Sequence, residues 1–184
     1  MKYERLLASG FIDILPTNIM TEIQIRHSTP DDLPTILALI ENGRQIMRSD
    51  GNMHQWSGDS PSTTQIIKDI ENANSYLCLE DGKAIGTFAF IPGPDVTYNK
   101  IFDGVWIDDV KPYFVIHRMA STPESHGVFS AAINYCFKVT DNIRIDTHRD
   151  NHIMQHNLLK HGFQYCGIIF LLNGDERLAY QKLV

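Results

Sequence analysis

The sequence has few cysteines, no excess of positive charge and no long apolar run. Its three cysteines are widely spaced among 184 residues, and no C-x-x-C pair occurs. This pattern favours neither a disulfide framework nor a zinc site, and it suits a reducing cytoplasm. The formal net charge of −6 argues against a broad basic surface for nucleic acid. No apolar run reaches the roughly 18 residues that a membrane helix requires, so we expect no membrane partner.

What the chain does have is the composition of a soluble globular protein with one well-formed core. Apolar residues make up 43% of it and charged residues 21%. Glu4 and Asp13 interrupt the apolar stretch near the N-terminus, so no signal peptide is predicted. Met20 opens a segment that would itself be a plausible protein start. We therefore predict an N-terminal extension over residues 1–20 and a single domain over 21–184.

Apolar periodicity and turn residues predict an α+β fold. Asp81-Gly82 between two β-rich runs is a strong hairpin signal. Residues 92–112 hold three prolines and two glycines among aromatic residues, which indicates an irregular insertion between strands. The predicted elements are strands at 23–28, 113–121 and 143–148, helices at 30–47, 63–72, 126–139 and 150–163, and hairpins over 75–91 and 164–183. The order predicts a mostly antiparallel sheet with one parallel β-α-β crossover over 113–148.

The turn before the helix at 126–139 is a candidate anion site. A strand feeds this helix through a short polar turn that contains Gly127. The first backbone N–H groups of a helix have no partner within the helix, and ligands of such sheets lie beyond the carboxyl ends of parallel strands. The alternative is that the turn only changes the direction of the chain.

Two segments resemble the GNAT superfamily of acyl-CoA-dependent N-acyltransferases. HRMASTPESHGVFSA (117–131) resembles its strand, pyrophosphate loop and helix, written [QR]-x-x-G-x-[GA], with His126, Phe129 and Ala131 at the three defined positions. DNHIMQHNLLKHGFQYCG (150–167) resembles the later helix N-x-x-A-x-x-L-Y-x-K-x-G-F. The positions that match are Asn151, Lys160, Gly162 and Phe163, and those that differ are Met154, Asn157 and Leu158.

The resemblance spans about residues 23–183 and implies a GNAT-like fold, with a mixed, mostly antiparallel central sheet and helices on both faces. It implies transfer of an acetyl group from acetyl-CoA, as co-substrate, to a primary amine of a small molecule or a peptide by direct attack. A backbone N–H near Ala120 would stabilise the thioester oxyanion. The residues that would bind the co-substrate are Met119, Ala120, Ser121, His126, Gly127, Val128, Phe129, Ser130, Ala131 and Asn151.

His117 is the candidate general base. Histidines ordinarily titrate near pH 6.5, which suits proton transfer at neutral pH. His117 stands two residues before Met119, so strand alternation predicts that both side chains share the face that runs toward the thioester. The alternative role is that of a buried, hydrogen-bonded sheet residue. Glu124 is a second candidate base, although an acidic residue just before a helix is more often a first-turn partner.

The general acid is not assigned. Leu158 stands where the family often has the tyrosine that protonates the leaving thiolate. Tyr165 is an alternative acid, although a tyrosine in a terminal strand more often belongs to the core. Cys166 has no base beside it in sequence and is not expected to act as a nucleophile. The histidines at 148, 152 and 156 do not complete an H-E-x-x-H motif, so no metal is expected.

We expect the acceptor amine to bind at the variable segments 44–58 and 93–112. Aromatic rings and carboxylates suit a cationic amine, and these segments supply Trp56, Tyr98, Phe102, Trp106, Asp103, Asp108 and Asp109. Two other functions stay open: an acyl-CoA-binding module that has lost catalysis, and a protein-interaction module that uses the aromatic insertion. A homodimer stays open as well.

Overall fold

The computed structural model describes residues 22–184, so the predicted extension over 1–20 lies outside the described residues. These residues form seven strands and four α-helices, close to the predicted elements. The strands are β1 (Gln24–His27), β2 (Ser75–Glu80), β3 (Lys83–Pro92), β4 (Phe114–Ser121), β5 (Asn142–Thr147), β6 (Gln164–Phe170) and β7 (Glu176–Leu183), and the helices are α1 (Leu33–Ser49), α2 (Thr63–Glu71), α3 (Val128–Cys136) and α4 (His152–Lys160).

All seven strands form one sheet in the order β1-β2-β3-β4-β5-β7-β6. β4 and β5 run parallel, and the other neighbours in the described sheet are antiparallel. A parallel pair requires a long crossover connection, which α3 provides. The predicted α+β fold, with its single β-α-β crossover, is therefore confirmed.

Local turn and cap residues explain where the elements begin and end. Asp81 and Gly82 adopt positive φ angles of 51° and 76°, as a tight hairpin requires. The hydroxyl of Ser62 accepts a hydrogen bond from the Gln65 N–H at 3.2 Å and caps α2. α3 begins two residues after the predicted start at 126 because Gly127, at φ +78°, is its N-cap and cannot be a helical residue.

The core lies on both faces of the sheet. On one face, residues of α3 and α4 such as Ile133 and Leu158 pack against Phe88 and Ile143 of the strands. On the other face, α1 and α2 pack against Leu77 and Ala120. Helices therefore cover both faces, as the resemblance implies.

The segment between β3 and β4 is part of the core. The rings of Tyr98 and Trp106 are buried and stack with their centres 5.5 Å apart. The Arg144 guanidinium of β5 lies between aromatic rings, 4.0 Å from the Trp106 ring centre and 3.9 Å from that of Tyr113. Phe102 and Ile168 form a β-bridge, which joins the segment to β6. The stacked rings, the Arg144 contacts and the β-bridge together fix the position of the residues at the start of the segment between β3 and β4.

Two irregularities of β4 open a cleft in the sheet. β4 pairs with β5 only at Phe114↔Ile143 and Val115↔Arg144, so the two strands separate toward their carboxyl ends. In the same half of β4, the register against β3 shifts by one residue, and Arg118 adopts a φ of +54°. Such a bulge bends a strand and increases its twist. The carboxyl-terminal half of β4 therefore lies beside a gap rather than beside a hydrogen-bonded neighbour.

Candidate functional site

Two cavities meet at this cleft. The larger, of about 710 Å³, is lined by β4, β5, the loop after α1, the start of the insertion and the β6–β7 turn. The smaller, of about 120 Å³, is a groove between α1, the end of β4, the start of α3 and α4. Residues that line both are Met47, Trp56, Met119, Phe129, Asn151 and Met154. A molecule that fills the groove would therefore reach the larger cavity at these shared residues.

His117 lies in the wall of the larger cavity between two carboxylates. Its Nε2 is 3.1 Å from Asp95 Oδ2, and its Nδ1 is 3.6 Å from Asp146 Oδ1. The Tyr98 hydroxyl donates to the same Asp146 oxygen at 2.6 Å. These contacts orient the imidazole. The arrangement fits a proton acceptor, and it also fits the alternative of a hydrogen-bonded sheet histidine.

The neighbours of His117 have well-defined charge states. Burial by itself would raise the pKa of Asp95, but hydrogen bonds with His117 and Thr97 outweigh it and lower the pKa to about 2. Both the backbone N–H and the hydroxyl of Thr97 donate to Asp95 Oδ1. Burial, followed by the nearby Asp146 charge, holds the pKa of Tyr98 well above its ordinary value. At neutral pH Asp95 is therefore an anion and Tyr98 a neutral donor.

The prediction that His117 and Met119 share a face of β4 is wrong. Met119 packs against the α3–α4 side of the sheet, with the cluster that contains Ile116. His117 contacts the ring of Tyr98 on the opposite side. The bulge at Arg118 adds one residue and reverses the alternation. Both side chains nevertheless line the larger cavity, because it opens through the gap between β4 and β5.

Two arginines contribute to the larger cavity, and both lie near carboxylates. The Arg118 guanidinium pairs with Asp69, with Nε 2.6 Å from Oδ2 and Nη2 2.9 Å from Oδ1. Arg177 donates to the Glu176 carbonyl at 2.8 Å, and its Nε lies 3.9 Å from Asp146 Oδ2. The positive charges in the wall are thus already matched by negative ones.

In the groove, Met119, Ala120 and Ser121 of β4 face the start of α4. Asn151 is the N-cap of α4, since its Oδ1 accepts from the Met154 N–H at 3.0 Å. Its Nδ2 donates to Gln55 Oε1 at 2.9 Å. Both polar ends of this side chain are therefore engaged within the protein, and its predicted contact with the co-substrate stays a prediction.

The start of α3 presents backbone donors. The first helical hydrogen bond runs from the Ala131 N–H to the Gly127 carbonyl at 2.9 Å, and the N-cap Gly127 has no side chain with which to cap the helix. The N–H groups of Val128, Phe129 and Ser130 thus have no partner within the helix. A phosphate fits such an end. The side chain of Val128 is buried, so only its backbone is available, and His126 is exposed in the preceding turn.

Phe129 stands at a position where the family motif has a glycine, and its side chain fills part of the groove. Its ring lines both cavities and meets the His161 ring edge-on, with ring centres 4.9 Å apart. The side chain therefore narrows the groove rather than pointing away from it.

The alternative acid and base candidates lie elsewhere. Leu158 is fully buried in the core. Tyr165 is 48% exposed and packs on Tyr180, and Glu124 is exposed before α3; neither lines the two cavities. Burial raises the pKa of the Cys166 thiol, which disfavours the nucleophilic thiolate.

Of the residues predicted at the acceptor site, only Trp56 lines the larger cavity. The prediction is wrong for Tyr98 and Trp106, whose rings belong to the core. Phe102 packs on Phe170. The remaining carboxylates, Asp103, Asp108 and Asp109, lie outside the cavity wall, whereas Asp59, Asp95 and Asp146 are in it.

Sequence reasoning missed Asp95, Asp146 and Gln55. Asp146 could have been found from a weak sequence signal. It is a carboxylate near the carboxyl end of β5, a strand whose alternate residues are apolar. Asp95 and Gln55 lie in irregular segments without such a pattern. Among residues 22–184, no group of three His, Cys, Asp or Glu side chains is arranged to hold a metal ion. None of the helices in this part of the chain combines the length and apolar character of a membrane span.

No protein-family model matches the chain, and no curated protein matches it in sequence. Solved structures do. A GNAT-family acetyltransferase from Streptococcus agalactiae 2603 is 34% identical, with a TM-score of 0.81 over 88% of this chain and 95% of that one. A GNAT-family acetyltransferase from Listeria monocytogenes 4b F2365 is 21% identical, with a TM-score of 0.66 over 89% of this chain and 96% of the other.

A more distant structure shares the fold. The ribosomal-protein-alanine N-acetyltransferase from Brucella melitensis is 14% identical, with a TM-score of 0.55 over 88% of this chain and 99% of that one. The Streptococcus enzyme is similar enough in sequence, over nearly its whole length, to establish the family. With its splayed parallel strands and its uncapped helix beside the cleft, the chain belongs to the GNAT family of acetyltransferases.

Proposed function

We propose that the protein transfers the acetyl group of acetyl-CoA to a primary amine by direct attack, with His117 as the general base. The observation that carries the proposal is the position of His117. It lies in the wall of the larger cavity, close to the residues that this cavity shares with the groove, and it is oriented by Asp95 and Asp146. Acetyl-CoA and the amine would then meet beside a side chain that can accept a proton.

The groove and the start of α3 would hold the donor. The free N–H groups of Val128, Phe129 and Ser130 suit the pyrophosphate, whose charge also interacts favourably with the helix dipole. A backbone N–H near Ala120, beside the bulge of β4, is the proposed oxyanion donor. Bound there, acetyl-CoA would supply an activated acyl carbon at the junction of the two cavities.

Deprotonation of the acceptor is the step that needs the protein most. An alkylamine has a pKa near 10.4, so forming its neutral state at pH 7 costs roughly 4–5 kcal/mol. His117 takes one proton from the ammonium group, directly or through one water molecule, which frees the nitrogen lone pair. The amine nitrogen then bonds to the acyl carbon, the carbon–sulfur bond breaks, and the second proton of the nitrogen passes to solvent. Because the side chain of Leu158 has no acidic hydrogen, the leaving thiolate takes its proton from water.

The acceptor cavity suits a cationic amine. Asp59, Asp95 and Asp146 line it together with two arginines, one of which pairs with Asp69, so negative charge is in excess at the cavity. Its volume of about 710 Å³ leaves both a small molecule and the end of a peptide as acceptors.

Calorimetric titration of acetyl-CoA, followed by assay of CoA thiol release with a panel of primary amines, tests the proposal. We expect micromolar donor binding and amine-dependent release. Gly127→Ala should weaken donor binding several-fold, because a side chain at φ +78° shifts the free N–H groups. Gly82→Ala is the matched control, with similar backbone strain at φ +76°, open space around it and a place in the β2–β3 hairpin.

His117→Gln tests the catalytic role separately. General-base catalysis contributes about 10²–10⁴-fold, so we expect kcat to fall by that order while donor affinity stays unchanged. Absence of donor binding at millimolar concentration overturns the proposal. Binding without turnover of any amine would instead support the binding module that has lost catalysis.

A further inference from the structure

We propose that Trp56 closes the acyl end of the groove and restricts the donor to acyl groups as short as acetyl. This inference rests on the proposed function and deepens it, because it specifies the donor that the site accepts. Trp56 belongs to the loop between α1 and α2 and lines both cavities. It lies among the shared residues, where the thioester carbon would have to emerge to meet an amine.

The ring of Trp56 fills a recess made by two small residues. A Cβ built on Gly43 of α1 would lie 3.0 Å from Trp56 Cζ3 and 3.1 Å from the Cβ of Ala120. Even the methyl group of an alanine at position 43 would therefore press on the ring and displace it by a few tenths of an ångström. Ala120 is also the residue whose backbone is proposed to bind the thioester oxygen, so the indole lies directly beside the place of the acyl group.

The loop that carries Trp56 is held in place. Gln55 Oε1 accepts hydrogen bonds from Asn52 Nδ2 at 3.0 Å and from Asn151 Nδ2 at 2.9 Å. The Gln55 N–H donates to Asn52 Oδ1 at 3.2 Å. Asn52 and Asn151 are both buried. These bonds tie the loop to the N-terminus of α4, on the far wall of the groove.

The backbone of Trp56 itself is in an unfavourable conformation. Its φ of +57° lies in the left-handed region, which a bulky residue adopts only when its surroundings require it. Because packing and hydrogen bonds fix this conformation, the indole is not free to swing aside for a longer chain. The indole borders both the groove and the larger cavity, so additional methylenes that continue from one into the other would have to pass this ring.

The experiment compares acetyl-, propionyl- and butyryl-CoA with wild-type protein, Trp56→Phe and Trp56→Ala. Binding is measured by calorimetry, which needs no acceptor, and kcat/KM by CoA release where an amine substrate is found. One misfitting methylene changes such preferences by about 10-fold or more. We expect the wild type to bind butyryl-CoA at least about tenfold more weakly than acetyl-CoA. In Trp56→Ala this ratio should fall to about threefold or less, with Trp56→Phe in between.

Two further variants control for indirect effects. Leu172→Ala removes an apolar side chain, 85% exposed, that lines only the larger cavity, and it should leave the acyl preference unchanged. Alanine favours the helical conformation more than glycine does, so the Gly43→Ala variant should fold. Its added methyl group nevertheless presses on the indole. It should therefore sharpen discrimination against propionyl-CoA, and this effect should vanish in the Trp56→Ala background.

The outcomes separate the two proposals. If wild-type protein binds none of the thioesters, the proposed function fails. If it binds acetyl-CoA but binds butyryl-CoA equally well, or if Trp56→Ala and Trp56→Phe keep the wild-type ratio, the proposed function stands and the role of Trp56 is wrong.

Discussion

At the scale of single residues, the candidate site is a chain of polar contacts through His117. Thr97 orients Asp95, Asp95 and Asp146 flank the imidazole, and Tyr98 supports Asp146 from the core. Each of these contacts can stabilise the fold as well as position the base. Stability measurements and kinetic measurements on the same variants are therefore needed to distinguish the two contributions.

The depressed pKa of Asp95 predicts a pH dependence of stability. Its pKa is about 2 in the folded protein and 3.8 in the reference state, so its stabilisation is present above pH 4 and is lost as the pH falls toward 2. The shift corresponds to about 2 kcal/mol. We expect the difference in unfolding free energy between wild type and Asp95→Asn, measured in urea, to shrink between pH 6 and pH 3. A constant difference would contradict the assigned contacts.

The Tyr98 hydroxyl is predicted to contribute to stability through Asp146. Tyr98 is fully buried, and its hydrogen bond to the carboxylate measures 2.6 Å. Hydrogen bonds to charged groups are worth about 1.5–3 kcal/mol, so Tyr98→Phe should lower the unfolding free energy by that order. Tyr165→Phe, at a half-exposed tyrosine, is the matched control and should change it by less than about 0.5 kcal/mol. Equal effects in both variants would contradict the prediction.

At the scale of elements, β4 carries the geometry of the site. Its first half pairs on both sides, and its second half bulges at Arg118 and separates from β5. The ion pair between Arg118 and Asp69 connects this bulge to α2. The groove, the proposed oxyanion donor and the imidazole all depend on the path of this one strand.

Breaking that ion pair should destabilise the protein strongly. The Asp69 side chain is only 5% exposed, and Arg118→Met would leave it with Gln65 as its remaining side-chain donor. Removing one partner of a buried pair costs about 3–5 kcal/mol. Urea unfolding should show a loss of this order. Adding Asp69→Leu should restore part of it, and a double variant that is less stable than Arg118→Met would contradict the explanation.

At the scale of the whole molecule, one sheet brings together a donor groove and an acceptor cavity. Ligand binding to the folded state alone should therefore stabilise the entire domain. At 100 times the dissociation constant, acetyl-CoA should add about 2.7 kcal/mol, which raises the Tm by about 5–11 °C for a chain of this size, at about 2–4 °C per kcal/mol. Differential scanning fluorimetry measures the shift. Gly127→Ala should reduce it and Gly82→Ala should not.

The oligomeric state also belongs to this scale. The insertion exposes Val105 and Val110, although its aromatic residues Tyr98 and Trp106 are buried. The homodimer stays a prediction, and sedimentation velocity tests it. The alternative function as a protein-interaction module required exposed aromatic rings in the insertion. The rings of Tyr98 and Trp106 are instead buried in a core, so this alternative has little support.

The amino-acid sequence by itself determined the elements and the sheet class. Strand alternation, helical apolar stripes, the Asp81-Gly82 turn and the glycine at the end of α4 act over a few residues, so they can be read without knowing the fold. The crossover around α3 and the donors at its start follow from the same local signals, and the family resemblance rests on two short segments of this kind.

Tertiary structure alone decided which side chains meet. The bulge at Arg118 reversed the face of Met119, since a shift of one residue inverts the alternation of a strand. Asp95 and Asp146 reach His117 only because the insertion packs on β6 and β5 separates from β4. Trp56 reaches the groove through a loop pinned by Gln55. Contacts between distant parts of the chain depend on packing and on strand path, which no local pattern of residues specifies.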